Sequence, residues 1–272
     1  MTMLDGGEWD DLDGRVALVT GASGGFGTVF AEALAERGAL VVLTGRRLDV
    51  LKDTAARTGG KVVVADLLDF DADILIDQAE DCFDRPVSLL INNAGIGHGG
   101  KAVDLDRYVW RAVMDVDLFA PFYLTQAVAR RMIDHGIKGS VVNIASIFGK
   151  RPAKGMIAYA TAKAALIQMT RCFALELNGA VRVNALAPGW HVTPMTEDYL
   201  LSERGQTILR DIPSGRFGAP DDLVSAMLLL ATCKYMNGTV LTVDGGLSAA
   251  MRDGGTQKKA PAPDVEAGAA GI

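Results

Sequence analysis

The sequence predicts an α/β fold built on one doubly wound parallel sheet of about seven strands, with helices on both faces. Two features of the 272 residues carry that prediction. Short runs rich in Val, Ile and Leu alternate with longer stretches of helical pattern, and strict alternation implies right-handed crossovers that place helices on both sides of a sheet. The runs are also continuously apolar, as strands buried on both faces must be, rather than alternating polar and apolar.

Taken in order, the strands are "RVALVT" (15–20), "ALVVLT" (39–44), "KVVVA" (61–65), "VSLLIN" (87–92), "SVVNIA" (140–145), "VRVNALA" (181–187) and "TVLTV" (239–243). Between the first two lies "TVFAEALAERG" (28–38), a helix expected to end at Gly38 as its C-cap. Stretches 104–135 and 154–177 are helical and apolar round much of their circumference, so each is expected to bury more than one face, as in a homo-oligomer. The segment 190–218 follows a strand end and is expected to form a substrate lid. No composition break interrupts the chain, which predicts one domain over 13–250 after a flexible N-terminus (1–12). The Gly-, Ala- and Pro-rich tail (251–272) is expected to be disordered. No repeat of solenoid period is present.

Composition narrows the function. The formal net charge is −6, with acidic residues spread along the chain, which argues against a nucleic-acid footprint. Cys82, Cys172 and Cys233 are far apart with no CxxC pair, a pattern expected of reduced thiols in a cytoplasm. The opening "MTMLDGGEWDDLDG" is acidic and lacks an apolar core, so no signal peptide is expected. No uninterrupted apolar run reaches membrane-spanning length. No cluster of His, Cys and carboxylates suggests a metal. His98 and His135 read as polar loop residues.

The first strand runs into "TGASGGFG" (20–27) and then into a helix. Glycines there let the backbone turn sharply and bring main-chain N–H groups to a pyrophosphate at the helix N-terminus. The turn, with Gly21, Ser23, Gly25, Phe26 and Gly27, is a candidate dinucleotide site of a Rossmann-type domain. "GASGG" (21–25) also matches the G-x-S-x-G elbow of a serine hydrolase, with Ser23 as nucleophile. That reading lacks its partners: the last of the three histidines is His191, and Ser23 comes at the first strand, before enough sheet exists to surround it.

"AYATAKAAL" (158–166) places Tyr159 and Lys163 one helical turn apart on one face. A free phenol titrates near 10, and an adjacent ammonium favours the phenolate and lowers that value. The second strand ends in "GRR", so Gly45 stands where NAD-preferring folds commonly carry an acid, and Arg46 and Arg47 follow. Guanidinium groups hold a phosphate by paired, charge-assisted hydrogen bonds, which points to NADP, with NAD as the alternative and Arg46 as the leading ligand.

With "TGASGGFG", "NNAG" (92–95), Ser146, "YATAK" (159–163) and "PGWHVTPM" (188–195) in order, the chain resembles the classical short-chain dehydrogenase/reductase family over about residues 12–250. "RFGAPDDL" (216–223) and "GTVLTVDGG" (238–246) look like its closing segments. The resemblance implies NAD(P)(H)-dependent hydride transfer between a nicotinamide and a ketone or secondary alcohol. Tyr159 would be the general acid/base, Lys163 would hold the nicotinamide ribose, and Ser146 would orient the substrate oxygen. Asp117, in "MDVDLFAPF" (114–122), replaces the asparagine that the family uses to anchor a proton-relay water. Further cofactor contacts implied are Asp66 and Leu67 at the adenine, Asn92, Ala94 and Gly95 near the ribose, and Pro188, Gly189, His191 and Thr193 at the carboxamide. The resemblance also implies a homotetramer, with a homodimer as the alternative. A cofactor-binding protein without catalysis is a second reading, opposed by the presence of Ser146, Tyr159 and Lys163 together. The lid is similar to those of sugar-acid dehydrogenase-like and 3-oxoacyl-reductase-like members, which leaves a sugar acid, a ketoacyl group and a cyclic ketone open as substrates.

Overall fold

A computed structural model describes residues 12–97, 99–177 and 179–250. The tail 251–272, His98 and all but the last residue of the expected flexible N-terminus lie outside the described residues. That last residue, Leu12, is buried in the core rather than free.

Seven strands form one parallel sheet: β1 (Val16–Thr20), β2 (Leu40–Gly45), β3 (Lys61–Val64), β4 (Val87–Asn92), β5 (Gly139–Ile144), β6 (Val181–Pro188) and β7 (Val240–Val243). Their order is β3-β2-β1-β4-β5-β6-β7, so the winding reverses between β1 and β4. Open α/β sheets bind ligands outside the strand C-termini at such a reversal.

Both faces are covered, as the apolar runs require. Ala17, Val19, Leu43 and Ile91 point to the face covered by helices α1 (Phe26–Ala35), α2 (Leu48–Thr58) and, towards the far edge, α9 (Val224–Thr232). Val16, Leu18, Val42 and Leu90 point to the opposite face, under α3 (Ala72–Asp81), α5 (Ala120–Asp134) and α6 (Ile157–Glu176). The period-two side-chain alternation of a strand makes this split automatic.

Helix α1 departs from expectation at both ends. It starts at Phe26 inside the glycine turn and stops at Ala35, three residues before Gly38, which lies beyond it at φ +82°. Leu34 and Ala35 carbonyls are taken by Arg37 and Gly38 N–H groups, so the helix closes in a tight turn before reaching its glycine.

The expected helix 104–135 is broken into α4 (Arg107–Met114), a π turn (Asp115–Phe119) and α5. Ala120 N–H reaches back five residues to the Asp115 carbonyl. Pro121 lacks the N–H that an α-helix would offer to the Asp117 carbonyl, so the α register cannot run through this turn. The lid region carries two short helices, α7 (Glu197–Leu201) and α8 (Glu203–Asp211). His135 closes α5 and is exposed.

Candidate active site

The glycine turn joins β1 to α1 at the reversal point. Gly21, Gly24 and Gly25 all have positive φ (+64°, +154° and +56°), conformations that side-chain-bearing residues rarely adopt. A side chain on Gly27 would run into the Gly21 carbonyl and the Asn93 amide. The N-terminus of α1 has no side-chain cap, so its first N–H groups face the turn without an internal partner. This cradle fits a pyrophosphate.

Two residues absent from the sequence-derived site hold the cradle to its neighbour. The buried Thr20 hydroxyl accepts from the Asn93 and Ala94 N–H groups, both at 3.0 Å. Asn93 Nδ2 donates to the Thr20 carbonyl at 2.9 Å and to the Gly21 carbonyl at 3.2 Å. Asn93 lay within the quoted "NNAG", but only its tertiary position distinguishes it from Asn92.

Asn92 itself turns inward, which corrects its assignment as a cofactor contact. Its Nδ2 donates to Asn143 Oδ1 at 2.8 Å and to Thr125 Oγ1 at 3.1 Å, and Asn143 Nδ2 donates to Thr170 Oγ1 at 2.9 Å. This buried polar chain ties β4 and β5 to α5 and α6. The side chain on the last residue of a doubly covered strand has to face one helical layer, and here it does. Ala94 and Gly95 continue past the strand end. A side chain on Gly95 would meet Asp117 Oδ2 at 3.1 Å and Lys163 Nζ at 3.5 Å.

At the end of β2, a side chain on Gly45 would press on Ser23 Oγ at 3.3 Å, and Gly45 itself offers no carboxylate. Arg47 donates from Nη2 to the Ser23 carbonyl and is thereby fixed on the glycine turn. Arg46 lies 3.9 Å from Asp66 in an exposed pair. Arg47 is anchored at the turn, whereas Arg46 leans towards Asp66 on the β3 side. Leu67 packs its side chain against the core under α3.

The loop after β6 brings the third wall. A side chain on Gly189 would collide with Asp244, so the chain can pass there only as glycine. Thr193 stands opposite Gly25, 3.9 Å from where a side chain on that glycine would begin. The side chain of His191 is not available as a cofactor contact. It is 3% exposed, its Nδ1 lies 3.1 Å from the Gly189 carbonyl, and its ring packs edge-on to Phe26. Burial is the main influence that holds its pKa below the ordinary histidine range.

Ser146, Tyr159, Lys163 and Asp117 meet in the middle. Ser146 follows β5 and starts a short 3-10 turn, its Oγ accepting from the Phe148 N–H at 3.2 Å. It is thus both a cap, as serines before helical turns often are, and a neighbour of the phenol. Tyr159 and Lys163 share a face of α6, with Nζ 5.6 Å from the ring centre. Lys163 Nζ donates to the Ile144 carbonyl at 2.9 Å and lies 3.1 Å from Asp117 Oδ2. Asp117 Oδ1 accepts from the Ile96 N–H at 2.8 Å. Both members of this pair are buried.

The ammonium lowers the phenol as expected, but burial reverses the net direction. Burial dominates and raises Tyr159 above the ordinary tyrosine range; Lys163 and the Ser146 hydroxyl pull it down, and Asp117 pushes it up. Burial opposes charge on Lys163, but Asp117 and Tyr159 outweigh it and hold the ammonium above the usual lysine range. Burial likewise lifts the Asp117 carboxyl, against the pull of Lys163 and the Ile96 N–H. Lys163 thus faces both the Asp117 carboxyl and the Tyr159 phenol, and its charge pulls both downward.

Among the described residues, no group of three or more His, Cys, Asp or Glu side chains is placed to hold a metal ion, and no helix is long and apolar enough to cross a membrane.

The chain matches the short chain dehydrogenase family over residues 15–203. It is 38% identical over 244 residues to a 3-oxoacyl-(acyl-carrier-protein) reductase of Thermotoga maritima, covering 87% of this chain and 98% of that protein. It is 36% identical over 251 residues to a gluconate 5-dehydrogenase of Gluconobacter oxydans, covering 88% and 97%. A crystal structure of a gluconate 5-dehydrogenase from Burkholderia cenocepacia, in complex with NADP and tartrate, superposes with a TM-score of 0.84 at 31% identity over 89% of this chain and 98% of that one.

Proposed function

The chain belongs to the short-chain dehydrogenase family, and from that premise we propose that it is an NADP-dependent oxidoreductase interconverting a secondary alcohol and a ketone. The observation that carries the reading is the convergence of Ser146, Tyr159 and Lys163 beside a glycine cradle at the sheet's reversal point. When bound, the nicotinamide accepts a hydride from the carbinol carbon or returns one to the carbonyl carbon.

The protein's own groups handle the proton and the geometry. Ser146 Oγ hydrogen-bonds the substrate oxygen and aims it, which converts a random encounter into an oriented one. Tyr159 takes the hydroxyl proton as phenolate in oxidation and gives it back as phenol in reduction. The phenol is raised in the resting protein, so at neutral pH it stands ready as an acid. Lys163 holds the phenolate electrostatically and, with the cofactor bound, would hold the nicotinamide ribose. The Gly21, Gly25 and Gly27 turn and the α1 N-terminus hold the pyrophosphate.

NADP over NAD is supported by the missing acid at Gly45 and by two guanidinium groups beside the turn. The bound NADP of the Burkholderia structure supports the same choice. Thr193 and the main chain of Pro188, Gly189 and His191 form the carboxamide side. A homotetramer, or a homodimer, is supported by the apolar surface of α4 to α6, where Trp110, Phe119, Tyr123 and Ile157 remain exposed. Three free cysteines suit a reducing cytoplasm.

The test is a dehydrogenase assay of the purified chain with NADP and NAD over an alcohol and ketone panel. Tyr159→Phe removes the titrating hydroxyl, and turnover is expected to fall about 10²-fold or more while cofactor affinity stays near normal. Wild-type turnover in that variant would overturn the proposed chemistry.

A further inference from the structure

Beyond Tyr159, the substrate cleft is walled by aromatic rings. Phe148 stands edge-on to Tyr159 with centroids 6.5 Å apart, and edge-on to Trp190 at 5.5 Å. Trp190 in turn stacks on Tyr199, 5.4 Å apart at 24°. These rings come from three separate elements: the turn after β5, the turn after β6, and α7. They form one continuous row leading outward from the reacting phenol, and none of the three is fully buried. Ile96 and Tyr159 both pack against the cluster of Val113, Ala158 and Ala162, and Met195 of the lid comes within 3.6 Å of where a side chain on Gly97 would begin.

Charge points the same way. The two cations that follow Phe148 in the chain are turned aside: Lys150 Nζ donates to Thr242 Oγ1 at 2.8 Å and Arg151 Nη1 to the Leu247 carbonyl at 2.9 Å. Glu197 and Asp198, both exposed, immediately precede Tyr199 in the lid and add negative charge at the outer end of the row. A polyhydroxy acid would leave its hydroxyls against these rings with few partners and would pay their desolvation. A planar or cyclic apolar group gains stacking and area burial on the same surface.

Resting on the oxidoreductase reading, we propose that the preferred substrate is a ketone or secondary alcohol carrying an aromatic or alicyclic ring beside the reacting carbon, with that ring seated on Trp190 and Phe148. The rival occupant is a sugar acid whose carboxylate reaches the exposed Lys101 or Lys154 on the neighbouring loops.

The test compares kcat/KM for 1-phenylethanol, 2-propanol and gluconate with NADP, together with calorimetric binding of acetophenone and of gluconate to the NADP-loaded protein. The expected result is a preference for 1-phenylethanol over both others of about 30-fold or more, the scale on which an apolar pocket rewards extra buried carbon. Trp190→Ala should cut the 1-phenylethanol to 2-propanol ratio by about tenfold or more, and Trp190→Phe should keep it within about threefold of wild type. The Phe variant guards against a folding artefact. Preference for gluconate, or an unchanged ratio in Trp190→Ala, would overturn the proposal. If no alcohol turns over, the oxidoreductase reading fails. The wall is still judged by calorimetry: acetophenone binding that Trp190→Ala weakens about tenfold supports it, and no acetophenone binding refutes it.

Discussion

Replacing Asp117 by Asn tests the electrostatics of the site most directly. The side chain keeps its shape and can still accept the Ile96 N–H through Oδ1, but the negative charge 3.1 Å from Lys163 Nζ is gone. That separation and the 5.6 Å from Nζ to the Tyr159 ring centre place the carboxylate oxygen within about 9 Å of the ring centre. At an effective dielectric of about 20, unit charges about 9 Å apart interact by roughly 2 kcal/mol, a little over one pKa unit. A carboxylate disfavours the phenolate, so its removal lowers the Tyr159 pKa. Lys163 retains its bond to the Ile144 carbonyl and keeps its proton beside the phenol. Alcohol oxidation, which needs the phenolate, should therefore extend to lower pH in Asp117→Asn. The acid limb of its kcat/KM profile should move down by about one unit, with the enzyme still active. The assay is NADPH formation across pH 6 to 10, with ionic strength held constant. A limb that stays in place, or moves up, would refute the reading that Asp117 adds to burial in holding the phenol high.

Arg46→Ala and Arg47→Ala should each lower kcat/KM with NADP by about ten- to a hundred-fold and change it little with NAD, since one charge-assisted contact contributes about 1.5–3 kcal/mol; equal loss with both cofactors would remove the 2′-phosphate from their role. Asn143→Ala removes one partner each from the buried Asn92 amide and Thr170 hydroxyl, which keep Thr125 and the Leu166 carbonyl respectively, and chemical denaturation should show a loss of about 1–3 kcal/mol. Buried His191 has a depressed pKa, so the unfolded chain binds the extra proton first: its contribution is present above about pH 6.5 and is lost as pH falls towards the lower folded value. His191→Gln should flatten the decline in Tm between about pH 7 and pH 5, and an unaltered slope would place that dependence elsewhere.

The strands, the glycine turn and the Tyr159–Lys163 face were legible in the sequence because each rests on neighbours along the chain. A run such as "VALVT" is short, β-branched and bounded by a glycine turn, which favours a strand, and its lack of polar alternation implies two covered faces. Tyr159 and Lys163 lie four residues apart on a helix, so their side-by-side placement needs no knowledge of the rest of the fold. Other properties arise only where distant segments meet. Asp117 faces Lys163 because a π turn, set by Pro121, rolls the carboxylate under the end of β4 and against α6. The sign of the Tyr159 shift follows mainly from burial, which outweighs the local ammonium, with Asp117 adding to it. "NNAG" reads as two equivalent amides, yet the sheet turns Asn92 into the core and Asn93 onto the glycine turn. Phe148, Trp190 and Tyr199 are far apart in sequence and become a single wall only when β5, β6 and the lid are brought together. Periodicity and backbone chemistry act over a few residues and are written in the sequence. Burial, charge pairing and ring stacking depend on which segments the sheet order makes neighbours, and the tertiary structure alone decides that.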